Sequence, residues 1–304
     1  MATFDSCSKI AFIGAGVVGT TLAVSLTRAG YPVVAAASRT KASAEALAGR
    51  IPGCRSYIYL QNAVAVADVV FLTTLDDAIG SVASSLTWRP GQVAIHCSAV
   101  QGLDILDHAR EQGAITAAFH PLQTFPLVER AMESLSGATF AIEADPSTEV
   151  YLTEMAQVLG GNPITLGPGD RALYHISAIM ACGFVITLLK QATDLWQRFG
   201  SSRQQAVDGL LPLLRTTVES VATVGVPQAL TGPYPRGDIG TISKHLATLE
   251  SQVPEMLPLY CHMAQALLPM ALEKGPLEQG SAEEIRELLE EYMSRMPATN
   301  NAKS

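Results

Sequence analysis

The sequence predicts an α/β protein, with a doubly wound parallel sheet in its first half followed by an all-helical domain. Three observations carry this reading. From Ser8 to about Leu166, short β-branched runs alternate with helical stretches, as βαβ units do. A glycine-rich turn joins the first such run to the first helix. After the breaker Gly167-Pro168-Gly169-Asp170, strand signals vanish and helical periodicity in Leu, Ala, Met and Gln takes over. At roughly 150 residues per domain, 304 residues suit two units. These are expected at 1–167 and 168–296, with 297–304 as a frayed polar tail.

Taken in order, the expected strands are Ile10 to Ile13, Val33 to Ala37, Val69 to Thr73, Val93 to His96, Ile115 to Phe119 and Thr139 to Ile142. Val18 to Ala29, Lys41 to Ala48, Asp77 to Leu86 and Ser147 to Leu159 space their apolar residues by three and four, suiting crossover helices between parallel strands. Arg171 to Met296 reads as helices interrupted at Gly200, at Thr231 to Asp238 and at Lys274 to Gly280. Ile176 to Leu189 is a 14-residue apolar run, shorter than the roughly 20 residues a bilayer demands. It is expected to be a helix buried all round, in a domain that dimerises.

Composition excludes several classes. Hydrophobic residues reach 48% and charged ones only 16%, so disorder, collagen and coiled coil do not fit. Twenty basic residues against 28 acidic ones give a formal −8 with no basic stripe, which argues against nucleic acid. Five cysteines without a CxxC pair encode neither a disulfide framework nor a zinc site, and imply a reducing cytoplasm. Met1 to Lys9 has no signal-peptide character, and no membrane association is expected. No HExxH, EF-hand or Cys/His cluster indicates a metal.

Ile10-Ala-Phe-Ile13 runs directly into Gly14-Ala15-Gly16-Val17-Val18-Gly19 and then into a helix, which is strand, GxGxxG, helix in the order of a Rossmann dinucleotide site. Gly14 allows the tight turn, Gly16 admits a pyrophosphate to the backbone N–H groups, and Gly19 lets helix and strand approach. The second strand ends at Ser38-Arg39-Thr40-Lys41, where an NAD site would place an acid. A guanidinium beside a hydroxyl and an ammonium suits a 2′-phosphate, so NADP(H) is the expected cofactor. Thr73, Thr74 and Asp76 follow one strand and Ser98 another, at the carboxyl ends that form the ligand edge. Asp77 reads better as a first-turn helix acid.

Phe119-His120-Pro121-Leu122-Gln123-Thr124-Phe125, with Leu230-Thr231-Gly232-Pro233-Tyr234-Pro235-Arg236-Gly237-Asp238 and His245-Leu246, resembles an NADP-binding Rossmann family whose helical domain carries the label DUF2520. The resemblance covers nearly the whole chain. In layout it is similar to pyrroline-5-carboxylate reductase, ketopantoate reductase and 6-phosphogluconate dehydrogenase, which implies a 6-phosphogluconate-dehydrogenase-like helical domain that also supplies the dimer contact. One departure is plain: Gly183, after Tyr174-His175 and Cys182, stands where such sequences carry Asn. The spacing of Ser98 and His120-Pro121 is also similar to the catalytic Ser and His-Pro pair of prephenate dehydrogenases.

Hydride transfer to C=O or C=N calls for a proton donor, and histidine is the natural candidate. His120, on the ligand edge, leads; His175 is second, and Ser98 would hold the substrate. Gln123, Ser177, Thr231, Arg236 and Asp238 are the further candidates for substrate contact. Arg236 suits a carboxylate or phosphate, and Asp238 equally suits an N-cap. The expectation is an NADP(H)-dependent oxidoreductase of a small polar carbonyl, imine or hydroxy substrate, acting as a homodimer through the helical domain. The competing expectation is a non-catalytic NADP(H) sensor or scaffold.

Overall fold

The computed structural model describes residues 5–125 and 127–295 and divides between Ile186 and Thr187 into two compact units. That division lies beyond the expected boundary at 167. The expected tail, 297–304, lies outside the described residues.

The first unit is built on one eight-stranded sheet of β1 (Ile10–Ile13), β2 (Val33–Ala37), β3 (Arg55–Tyr57), β4 (Val69–Leu72), β5 (Val93–His96), β6 (Ile115–Leu122), β7 (Thr139–Glu143) and β8 (Asn162–Thr165). Their order is β3-β2-β1-β4-β5-β6-β7-β8, so the chain reverses direction of travel between β1 and β4, the switch point where such sheets bind ligands. The helices are α1 (Val17–Arg28), α2 (Lys41–Ala48), α3 (Leu60–Ala65), α4 (Asp76–Ser84), α5 (Asp107–Glu111), α6 (Val128–Ser134), α7 (Pro146–Val158) and α8 (Arg171–Ala181).

Alternation along the central strands sends their side chains into two separate cores. Ile10, Phe12, Phe71, Ile95, Phe119 and Phe140 pack with Leu22 and Leu26 of α1 and Leu152 and Met155 of α7. Ala11, Ile13, Val70, Leu72 and Ala94 pack on the other face with α3, α4 and α5. Every residue of β1, β4 and β5 is buried, which is why these strands read as unbroken apolar runs. Phe12 and Phe71 stack at 4.9 Å, and Phe119 and Phe140 at 4.8 Å. Each such ring contributes roughly 2–3 kcal/mol by burial.

All strand neighbours are parallel except β6 and β7, which departs from the wholly parallel sheet expected. The connection between them holds only α6, which packs on α1 and does not carry the chain back to the opposite edge. Two strands escaped the sequence reading, β3 and β8. Both are edge strands with mostly exposed residues, and β8 contains Pro163, so neither has an apolar pattern to read.

The second unit is helical: α9 (Gly183–Arg198, whose first turn belongs to the first unit), α10 (Arg203–Val224), α11 (Val226–Ala229), α12 (Ile239–Gln252), α13 (Leu257–Lys274) and α14 (Gln279–Ser294). Ile242, Leu246 and Leu249 of α12, Leu257, Cys261 and Leu268 of α13, and Ile285 and Leu289 of α14 form its core. Ser202 opens α10 with a reciprocal capping box to Gln205.

The run from Ile176 to Leu189 is not buried all round. It is divided at Cys182 between α8 and α9, and Ile176, Ile179, Met180, Phe184, Ile186 and Leu188 are all exposed. Only Arg171 of α8 and Thr193 of α9 are buried. Periodicity reveals which face of a helix is apolar; it does not reveal what covers that face. The 28-residue stretch Arg171–Arg198 is long and apolar enough, by length and composition only, to cross a membrane.

Candidate active site

The loop between β1 and α1 is bent by Gly14, whose φ of +112° is a conformation L side chains rarely adopt. A Cβ there would also lie 2.5 Å from the Thr73 carbonyl oxygen. At Gly19 a Cβ would meet the Gly14 carbonyl oxygen and Thr73 Oγ1, both at 2.4 Å, so this glycine is what lets α1 approach the strand end. Gly16 is different: it is exposed, and nothing of the protein lies within 4 Å of where its Cβ would be. Gly16 caps α1 with no side-chain acceptor, and the first turn holds no acid, so the N–H groups after it are open to an anion. Ala15, Val17 and Val18 are half-buried around this cradle.

Beside it, Thr73 Oγ1 donates to the Gly14 carbonyl at 2.7 Å and locks the turn. Thr74 Oγ1, just beyond the carboxyl end of β4, is buried without a hydrogen-bond partner among the described residues. At the end of β2, Arg39 is exposed and makes no ion pair or hydrogen bond among the described residues. Ser38 is half-buried. Thr40 caps α2, accepting from the Ser43 N–H at 3.3 Å, so its hydroxyl is partly committed to the helix. These groups fit a dinucleotide: open N–H donors at a helix start, space over Gly16, and a free guanidinium at the second strand's end.

Along the same edge, Ser98 is 2% exposed and its hydroxyl is fully employed. It donates to Asp76 Oδ2 at 2.7 Å and accepts from the Val100 and Gln101 N–H groups. The Ser98 carbonyl accepts from Arg171 Nη1 at 2.8 Å, while Arg171 Nε donates to Glu143 Oε2 at 2.6 Å. This buried ion pair fastens the start of α8 to β7 and to the loop after β5. Arg171 Nη2 is buried without a hydrogen-bond partner among the described residues.

His120 lies two residues beyond the level of the β5 end, since His96 pairs with Ala118. Its Nδ1 is 2.8 Å from the Tyr174 hydroxyl. Burial first, then the Arg171 charge and His175, lower the His120 pKa to about 4, so the ring is neutral near pH 7. Burial likewise raises Tyr174 to about 12. His96, fully buried, is lowered to about 3 by burial and Arg171, with the Gly102 carbonyl opposing. His175 is half-buried, with Nδ1 unpartnered among the described residues. Burial pushes the Cys97 thiol up, away from the thiolate a nucleophile needs.

Other expected contacts are taken up locally. Gln123 Nε2 donates to the Ser134 carbonyl and its Oε1 accepts from the Thr124 N–H. Ser177 Oγ donates back to the Tyr174 carbonyl within α8. In the second unit Asp238 caps α12 through the Thr241 N–H and hydroxyl, and Arg236 lies 3.9 Å from it. The Thr241 N–H above all holds Asp238 below the usual carboxylate range. Thr231 and Arg236 are exposed. The sequence reading brought forward neither Tyr174 nor the Arg171–Glu143 pair as functional. Tyr174 was visible only as the neighbour of His175.

Residues 5–121 match the Rossmann-like domain, and residues 138–267 match DUF2520, described as a domain of unknown function. The chain carries Rossmann-like and DUF2520 domains. Glu143, Arg171, Tyr174, Arg236 and His245 all fall within its DUF2520 segment, whereas the cradle and His120 fall in the Rossmann-like one. No curated protein matches the chain in sequence. Among solved structures, a candidate NADP oxidoreductase of Bacteroides fragilis is 24% identical with a TM-score of 0.69, over 87% of this chain and 99% of its own. A Thermotoga maritima protein is 20% identical with a TM-score of 0.70 over the same shares. The reductive aminase of Aspergillus terreus, solved with NADPH and ethyl-5-oxohexanoate, is 18% identical with a TM-score of 0.59, over 95% of this chain and 94% of its own. Likeness at these identities establishes the fold alone.

Proposed function

We propose that this protein is an NADP(H)-dependent oxidoreductase acting on a small polar carbonyl, imine or hydroxy substrate. The observation that carries the reading is the cradle at the start of α1: open N–H groups, unfilled space over Gly16, and an unpaired Arg39 at the neighbouring strand end. The backbone donors suit the pyrophosphate and Arg39 the 2′-phosphate. The NADPH bound in the Aspergillus terreus enzyme supports the same cofactor here.

When bound, the nicotinamide would supply or accept the hydride. The chain's own part is to manage a proton beside it. His120 and Tyr174 are neutral partners at 2.8 Å: as the imidazole gave its Nε2 proton to the substrate, Nδ1 would take the Tyr174 proton, leaving a phenolate for solvent to reprotonate. His120 remains the leading proton donor, with Tyr174 behind it and His175 as the second candidate. Ser98, its hydroxyl committed to Asp76 and the loop, shapes the site through its backbone. Purified protein is expected to bind NADPH more tightly than NADH, and Arg39→Ala to erase the difference. Equal affinities in the intact protein would overturn the cofactor assignment.

A second reading, a cofactor-binding sensor without turnover, is favoured by the committed Ser98 hydroxyl and by Gly183 in place of an amide. A screen of keto acids, imines and hydroxy acids for NADPH oxidation separates the two. Turnover that His120→Asn abolishes while NADPH binding persists supports the enzyme.

A homodimer is part of the proposal, its contact on the exposed apolar flank of α8 and α9.

A further inference from the structure

In the helical unit, α13 presents Tyr260, Met263, Ala264, Leu267 and Met270 at spacings of three and four, so they share a face. With Tyr234 and Ala266 they line an open pocket of about 340 Å³. Small-molecule pockets begin at roughly this size. Apart from the two Met sulfurs, the side-chain heteroatoms of its wall are two phenol oxygens.

Those oxygens have an ordered hydrogen-bond sense. Tyr234 Oη donates to Tyr260 Oη at 2.9 Å, and Tyr260 Oη lies 2.9 Å from His245 Nδ1. Tyr234 has spent its one hydrogen, so towards a ligand it offers lone pairs only. Burial pushes both phenols up, and they stay neutral acceptors across the working pH range. A ligand must therefore bring a hydrogen-bond donor. No carboxylate lines the pocket to pair with an ammonium, which favours an uncharged ligand. The remaining wall is ring, thioether and hydrocarbon, which suits a compact apolar body.

We propose that this cavity binds a small alcohol with a cyclic or aryl body, its hydroxyl donating to Tyr234 Oη. The site lies wholly within the helical unit and needs no nicotinamide, so it stands or falls separately from the oxidoreductase reading.

The test is a titration of the full-length protein, labelled at its Met methyl groups, with cyclohexanol, methoxycyclohexane and cyclohexylammonium. Cyclohexanol is expected to shift the Met263 and Met270 methyl resonances saturably. The ether, which cannot donate, should bind about fivefold more weakly, the worth of one hydrogen bond. Tyr234→Phe should weaken cyclohexanol by the same factor and leave the ether unchanged. Met270→Trp, which fills the cavity, should abolish binding of both, and it decides the question if Tyr234→Phe does not fold. Ether or ammonium binding as tightly as the alcohol, an affinity unchanged in Tyr234→Phe, or no saturable shift because a second copy of the chain covers the cavity would each overturn the proposal.

Discussion

His96 and His120 are held neutral in the folded chain, with pKa values near 3 and 4, whereas an unfolded histidine titrates near 6.5. The consequence for stability has a definite sign. As pH falls below about 6.5 the unfolded chain takes up protons that the folded chain refuses, so stability is full above that pH and is lost towards pH 4. The loss is on the order of 2 kcal/mol for the fully buried His96 ring and smaller for the part-buried His120 ring. Urea midpoints measured from pH 7.5 to pH 4 should fall, and His120→Asn should flatten part of that fall; a parallel curve for the variant would contradict the assignment. The glycines make a second contrast at this scale. Gly14→Ala meets backbone at 2.5 Å in a forbidden conformation and should cost upwards of ~2 kcal/mol of stability. Gly16→Ala meets nothing of the protein, so it should leave Tm unchanged yet weaken NADPH at least tenfold. An unchanged NADPH affinity would show that the space over Gly16 is not the pyrophosphate site. These glycines were legible in the sequence because their spacing follows from the turn itself. The His120–Tyr174 pair was not, because its members are separated by 54 positions and no local pattern links them.

At the level of elements, α8 owes its place beside the sheet to the buried Arg171–Glu143 pair, whose side chains are 3% and 11% exposed. Removing one partner of such a pair strands a charge in a poorly solvated site and costs about 3 kcal/mol or more, whereas replacing both is far milder. Glu143→Gln should therefore lower the urea midpoint more than the double change Glu143→Leu with Arg171→Met. The reverse order would mean that the pair's main role is not mutual neutralisation. The central strands, β1, β2, β4, β5 and the start of β6, were read correctly because burial on both faces leaves a continuous apolar record. The antiparallel return of β7 left none, since a strand's direction is set by the path of its connection and not by its own residues. The ion pair that ties α8 to the sheet escaped for a like reason: a lone Arg after a Gly-Pro-Gly breaker looks like a helix start and nothing more.

The whole molecule carries an apolar surplus that its own fold does not hide. Leu173, Ile176, Met180, Phe184 and Ile186 are each more than half exposed along α8 and the first turn of α9. A contiguous patch of this kind on a folded chain calls for a cover. Sedimentation at micromolar concentration should give a dimer, and Phe184→Glu with Ile186→Glu should give a monomer of unchanged helicity. A monomeric wild-type protein would remove the homodimer from the proposal. The change from strands to helices after residue 170 was legible from the loss of strand signals. The exposure of the apolar run was not, because the sequence pattern of a core helix and that of an uncovered one are the same.

The margins of the sheet limit how such chains can associate. One margin is β3, three residues long; the other is β8, whose Pro163 lacks an N–H to donate. Neither offers the run of free backbone groups that strand addition requires, so two copies cannot merge their sheets into one continuous ribbon. In the proposed homodimer, assembly would fall to side chains on helices, where affinity is tuned by single substitutions.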